Sequence, residues 1–377
     1  MKRNILLLLS VLVSIPSLAE WWYTNSEYPN AFLKIVHSEN YVYFCHSYDY
    51  INFFEKKTGD WYCYSQANGM LVSRRLSSMA IHCDTLWVGD MDGRVTSLYY
   101  DKADTARYDV KYTWSHVEGD WPIHYTYICA ISFDNQGRMA IGLDNCVRGI
   151  VNNVATECYE VPTVVLEQTI GDLEFDSKGT LWIIAMGRPT EYFLSKFTFE
   201  GGIEYFSNNL ERPWPFRHTR STCLAIDKND HVWFSPSDQL VEYDGETFHV
   251  YEIGVNAKDM AFDDEGRLWI VTSGGTLCCF SEGEIIASYS LNVRCFCLDI
   301  DGDVIYIGTD TGALRFENGQ ASPIEFPEFT PTVVRPPLAV PDNIAVPRMF
   351  TLDGRPIDAS STAKGIVIKK GRKVMLK

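Results

Sequence analysis

The sequence predicts an all-β protein: a single seven-bladed β-propeller of four-stranded antiparallel blades, followed by a short C-terminal β tail. Three observations carry that expectation: a hairpin-rich unit near residue 270, imperfect copies of it along the chain, and a period that suits one blade. The unit, Met260 to Phe280, reads MAFDDEGRLWIVTSGGTLCCF. Its three apolar runs are cut by Asp263-Asp264-Glu265-Gly266 and Ser273-Gly274-Gly275. Short apolar runs punctuated by Asp, Asn and Gly read as strands joined by tight turns, because those residues tolerate the backbone angles a hairpin needs.

The copies keep the order apolar-Asp-x-x-(Gly or Asp)-x-apolar-(usually Trp). They start at Phe133-Asp134, Phe175-Asp176 and Ile226-Asp227, and the Asp stands six residues before the Trp slot. Three looser copies, Tyr41-Val42-Tyr43, Thr85-Leu86-Trp87 and Val304-Ile305-Tyr306, complete the set. The slots are Tyr43, Trp87, Ala140, Trp182, Trp233, Trp269 and Tyr306, separated by 44, 53, 42, 51, 36 and 37 residues. A mean period of about 44 residues with several strands per unit is that of a propeller blade. Later turns at Thr58-Gly59, Asn152-Asn153, Gly201-Gly202, Asp244-Gly245, Glu282-Gly283 and Asn318-Gly319 would join the third and fourth strands. Six blades plus a loose N-terminal sheet is the alternative.

From the N-terminus, Lys2 and Arg3 precede an apolar run from Ile5 to Val13, and Ser17-Leu18-Ala19 fits a small-x-small cleavage site. Residues 1–19 therefore read as a secretory signal peptide, with an apolar run too short to span a bilayer. Residue 20 is Glu rather than Cys, so no lipid anchor is indicated. No later run approaches the roughly 18 apolar residues of a membrane helix. The expected product is exported, with no integral membrane segment. The full chain carries a formal net charge of −16, from 49 acidic and 33 basic residues, and losing Lys2 and Arg3 with the signal peptide leaves −18. Such a surface repels nucleic acid and anionic membrane, so neither is expected as a partner.

The propeller is assigned to residues 20–326. Trp87, Trp182, Trp233 and Trp269 are read as blade-core residues filling the gaps between sheets, with ligand stacking as the competing role. Asp134, Asp176, Asp227 and Asp263 are read as turn residues accepting backbone N–H bonds, because a catalytic acid is needed once and these recur. The 11 cysteines are scattered and form no C-x-x-C. They read as small buried hydrophobes, with one or two cross-strand disulfides as the alternative, and the odd count leaves a thiol over. Asp299-Ile300-Asp301-Gly302-Asp303 hints at a calcium loop but lacks its length and closing Glu, which favours a hairpin turn. No metal, cofactor or catalytic set is expected.

Two long connections between units stand out. SHVEGDWPIHY (115–125) and NNLERPWPFRHTRS (208–221) both contain Trp-Pro. A stiffened loop offering a flat indole beside donors suits a sugar ring or a peptide, so Trp121, His124, Trp214, Arg217 and His218 are the candidate ligand contacts. The competing role for both indoles is to plug gaps between blades.

The repeats FDDEGRLWIVTSGGTL, LDIDGDVIYIGTDTGALRF and FDSKGTLWII resemble the two-component-regulator propeller repeat. That resemblance implies the extracytoplasmic sensor regions found in Bacteroidetes-type bacteria. The chain departs from those sensors in having one ring of repeats, no transmembrane helix and no kinase.

Residues 327–347 hold a run of prolines, read as a semi-extended linker. Residues 348–377 are basic and contain Leu352-Asp353-Gly354-Arg355, Lys364-Gly365-Ile366-Val367-Ile368 and Lys370-Gly371-Arg372-Lys373. This order resembles the C-terminal sorting tail of type IX secretion substrates and implies export machinery as a partner, with delivery to the cell surface or the medium. A plain basic strand pair is the alternative.

Three functions compete. A non-catalytic binding module for a glycan, peptide or protein fits best. A propeller enzyme (lyase, lactonase or glycan-active hydrolase) would need convergent acids or histidines on the axis. A periplasmic accessory sensor for a two-component system would stay inside the cell.

Overall fold

The computed structural model describes residues 31–327 apart from 47–49, 66–70, 72–74, 84, 92, 101–107, 116–127, 144–145, 152–153, 161–168, 187–193, 207–214, 217–220 and 222. In the C-terminal part it describes 349–350, 365–369 and 372–376.

Seven sheets, each of four consecutive antiparallel strands, span residues 32–65, 76–115, 130–160, 169–205, 224–252, 257–290 and 295–323. The first strands of neighbouring sheets touch in sequence, and Phe32–His37 of blade 1 packs against Cys295–Asp301 of blade 7. The ring is therefore a closed seven-bladed β-propeller. Each of the seven slot residues lies on the second strand of its blade, Tyr43 on Tyr41–His46 and Tyr306 on Val304–Thr309 at the two ends. The turns between third and fourth strands fall where glycine is needed: Gly59, Gly202, Gly245, Gly283 and Gly319 all have positive φ. At Glu282-Gly283 and Asn318-Gly319 both residues do, as a two-residue hairpin requires.

Burial follows the alternation of the strands. Trp182, Trp233 and Trp269 are buried, and each reaches an aromatic side chain of the following blade. Trp182 meets Tyr243 edge-on at 5.7 Å, Trp233 meets Phe280 at 5.9 Å, and Trp269 meets Phe316 at 5.7 Å. Trp87, half-buried, reaches Phe133 at 5.4 Å. Tyr306 closes the series onto Phe44 of blade 1 at 5.8 Å. One sheet cannot cover such a side chain; the next sheet does, which makes the ring cooperative. Where the slot holds Ala140, the guanidinium of Arg138 lies 4.2 Å from the Phe199 ring of blade 4.

The turn aspartates anchor this arrangement. Asp176 Oδ1 accepts the backbone N–H groups of Lys178 and Thr180, while Oδ2 accepts Trp182 Nε1–H at 3.1 Å. Asp227 and Asp263 repeat the bond to Trp233 (3.3 Å) and Trp269 (2.8 Å). Asp134, with no tryptophan to hold, receives Arg138 Nε–H at 2.6 Å.

Among the described residues no strand is exchanged between the first and last blades. The seam is closed by packing: Phe326, just past the last strand, stacks on Phe32 at 4.6 Å and meets Phe44 and Trp61 edge-on. Gly308 permits the approach, since a Cβ there would overlap the Phe32 carbonyl oxygen. Across the same seam His37 Nδ1 is 2.7 Å from Asp299, and Lys56 pairs with Asp301 at 2.6 Å.

Residues 330–377 form a separate compact unit. Its strands Met349–Phe350, Gly365–Lys369 and Arg372–Leu376 make one antiparallel sheet. Among the described residues no helix is long and apolar enough to cross a membrane.

Candidate functional site

The innermost strands define the site. In five blades the pairing of first and second strands slips by one residue, at Phe32/Lys34, Leu76/Ser78, Ile170/Asp172, Ala257/Asp259 and Cys295/Cys297. Such a bulge re-aims side chains without breaking the sheet. Beyond it the alternation is regular. Ile35, Met79, Leu173, Met260 and Leu298 enter the cores between blades, while their neighbours line the axis. Counting four residues back from each turn position (Ser38, His82, Asp134, Asp176, Asp227, Asp263, Asp301) gives the ring Lys34, Ser78, Ala130, Asp172, Cys223, Asp259 and Cys297.

The axis holds a cavity of about 530 Å³, lined by residues of blades 1 to 7 including Lys34, Ser77, Asp172, Glu174, Lys258, Asp259 and Asp299. The acids are anchored to the ring. Asp172 accepts the N–H groups of Leu173 (2.9 Å) and of Leu224 in blade 5 (3.1 Å). Asp259 does the same with Met260 and with Leu298 of blade 7, both at 3.0 Å. Ser132 Oγ accepts Phe175 N–H of blade 4 at 3.3 Å. Side chains of one inner strand thus tie down the backbone of the next.

Burial and neighbouring charge shape the protonation of these groups. Burial pushes the Glu174 carboxyl up to about 8, with Asp172 adding to the effect, so it is protonated at neutral pH. Burial raises Asp172 to about 6 against the opposing pull of Lys34. For Lys34 burial works the other way, yet Asp259 and Asp172 outweigh it and the ammonium is held charged above its ordinary value. Asp299 is raised by burial, and the bond to Asp299 raises His37.

The residues singled out in the two Trp-Pro connections, Trp121, His124, Trp214, Arg217 and His218, lie outside the described residues. The connections themselves join blade 2 to blade 3 and blade 4 to blade 5. Within the second, Phe216 is buried and packs edge-on against Phe234 at 5.5 Å. The axial residues stand outside the turn and slot patterns of the sequence. The signal was the fixed offset of four from each turn position, which becomes meaningful once strand register is known.

A second cluster, Asp227, His231 and Glu242, has ligand atoms within 4.8 Å of one another. These atoms already bond to one another and to the blade: His231 Nδ1 to Glu242 at 2.7 Å, Tyr251 O–H to Glu242 at 2.8 Å, and Trp233 Nε1–H to Asp227. Cys146 is disulfide-bonded, whereas Cys45, Cys223, Cys278, Cys279, Cys295 and Cys297 are buried free thiols.

Fold and site together define a single-ring propeller with a ligand-sized, mixed-charge axial cavity. Solved structures share that ring. A catalytically inactive variant of virginiamycin B lyase from Staphylococcus aureus, with quinupristin, superposes with a TM-score of 0.61 at 14% identity, covering 77% of this chain and 95% of that one. The WD40 propeller domain of Doa1 gives 0.56 at 14%, over 76% and 93%. PorZ, an essential surface component of the type IX secretion system of Porphyromonas gingivalis, gives 0.58 at 18%, over 76% of this chain and 46% of PorZ. No protein-family model and no curated protein matches the chain.

Proposed function

We propose that the chain is an exported, non-catalytic binding module acting at the cell surface or in the medium. Its ring presents a ligand site, and its basic tail serves passage through a type IX-like machinery. The observation that carries the binding role is the axial cavity. Acids and lysines from several blades line it, and Asp172 and Asp259 are held in place by backbone amides of the neighbouring blade. A rigid, pre-organised, ligand-sized pocket of mixed polarity favours recognition. Trp121, His124, Trp214, Arg217 and His218 are proposed as further contacts for a glycan, peptide or partner protein. Export is supported by the signal-like residues 1–19 and by the tail pattern in 348–377; a surface component of such a machinery shares the ring.

The enzyme reading keeps one specific observation in its favour. Asp172 and Glu174, two residues apart, have proton affinities pushed to different values, the pattern of paired acid and base groups.

The test is fractionation of the native cell into cytoplasm, periplasm, surface and medium, with mass spectrometry of the recovered chain. A chain beginning at Glu20 and found at the surface or in the medium is expected. An unprocessed cytoplasmic chain would refute export, and a processed chain kept wholly in the periplasm would favour the accessory sensor. Ligand recovered chemically unchanged after prolonged incubation is expected of a binding module; turnover would shift the reading to the enzyme.

A further inference from the structure

The axial cavity carries charges of both signs with bonding capacity left over. Lys34 extends its ammonium into it, and among the described residues that ammonium makes no hydrogen bond or ion pair. An ammonium with three donors asks for an acceptor. On the other side of the axis, each oxygen of Asp172 and Asp259 receives one backbone N–H and retains a lone pair. These two carboxylates ask for a donor.

A purely anionic ligand placed on Lys34 would face Asp172 and Asp259, and a purely cationic one placed on those acids would face Lys34. In a cavity whose charged lining residues are half-buried, both repulsions are screened less than at the outer surface. Only a ligand with both charges satisfies both sides. Leu33, Ile170 and Phe296 supply apolar wall for its side chain. We propose that the axial channel binds a small zwitterion of amino-acid or dipeptide size, with its carboxylate on Lys34 and its ammonium between Asp172 and Asp259. This inference rests on the binding-module reading and names its ligand class. Glu174, neutral at physiological pH because of its burial, adds an O–H donor without adding charge.

The test is calorimetric titration of the full chain near neutral pH with free amino acids and dipeptides, beside their N-acetylated and C-amidated counterparts. Acetylation removes the ammonium and amidation removes the carboxylate. At least one zwitterion is expected to bind, and each blocked form to bind about tenfold or more weakly. Lys34→Met is expected to abolish the signal. Because that variant can fail to fold, Asp259→Asn serves as a second test: it keeps an amide oxygen for a neighbouring backbone N–H and is expected to weaken zwitterion binding about tenfold. Blocked and unblocked forms binding equally, or no zwitterion binding up to about 10 mM, would overturn the assignment. Fractionation decides export independently: failure of every zwitterion with a surface-located chain removes the ligand class and leaves the exported module standing.

Discussion

Replacing Asp263 by Ala isolates what the turn aspartate does. In the native ring its side chain is 3% exposed and accepts three bonds: Arg267 backbone N–H at 2.8 Å, Arg267 Nε–H at 2.7 Å and Trp269 Nε1–H at 2.8 Å. Alanine leaves the indole N–H stranded in a 9% exposed residue, at a cost of roughly 1–3 kcal/mol. The turn amide loses its acceptor for about 1 kcal/mol more. Arg267, 41% exposed, re-solvates and adds little. The sum is about 3 kcal/mol, or about 6 °C at roughly 2 °C per kcal/mol for a chain of this size. Thermal unfolding followed by tryptophan fluorescence measures it, with exposed Asp264→Ala in the same turn as the control. Asp176→Ala removes the equivalent bond to Trp182 and should cost a comparable amount. If Asp263→Ala melts within about 1 °C of the control, or if only one of the two aspartates matters, the architectural account of the repeat fails. The loss has a pH counterpart. Burial alone would raise Asp263, but the bonds from Trp269 and Arg267 prevail and lower it. Its contribution is therefore present above the ordinary carboxylate range and disappears as pH falls through the depressed value.

Gly308→Ala drives a methyl into the Phe32 carbonyl at the seam between blades 7 and 1; a loss of about 2–3 kcal/mol is expected in chemical denaturation, while Gly302→Ala, where a Cβ meets nothing, loses only what its positive φ imposes. Phe326→Ala removes the latch on Phe32, Phe44 and Trp61 for about 2 kcal/mol, and amide exchange should rise in residues 32–65 more than in 257–290. Glu174→Gln tests the buried acid: the native pKa of about 8 lies above that of the unfolded chain, so wild-type stability falls as pH rises from the ordinary glutamate range toward 8. The glutamine variant should match wild type near pH 4 and exceed it by at least about 2 kcal/mol above pH 8, and equal stability at both ends would remove the buried-acid assignment.

The ring was legible in the sequence because its construction repeats. Asp263-x-x-Gly266-x-Leu268-Trp269 records a turn, a capped amide and an indole that needs a neighbouring sheet, and the chain states that requirement several times. Even the exception is physical: Ala140 lacks the indole, and Arg138 two residues earlier takes over both the aspartate and the packing against Phe199. The axial residues were not legible in the same way. Lys34 and Asp172 look like ordinary polar residues in short strands, and their meeting depends on bulges at Leu33 and Gly171 that no local pattern announces.

The two kinds of position differ for a reason that bears on function. A turn aspartate or a slot aromatic is constrained by the adjoining blade, which is nearly the same each time, so its identity recurs. A residue facing the axis packs against no single neighbour, and sevenfold geometry asks nothing particular of it. Were the axis merely filled, small apolar residues would serve in every blade, as Ala130 does in blade 3. Instead the ring position carries lysine in blade 1 and aspartate in blades 4 and 6, half-buried charges whose partial desolvation costs free energy. Amide bonds from the next blade offset part of that cost for the aspartates. They offset none of it for Lys34, whose compensation is electrostatic attraction across an open cavity. A lysine on a repeat that does not require it, facing two acids it does not touch, is what a ligand bridging that gap would select, and architecture alone would not.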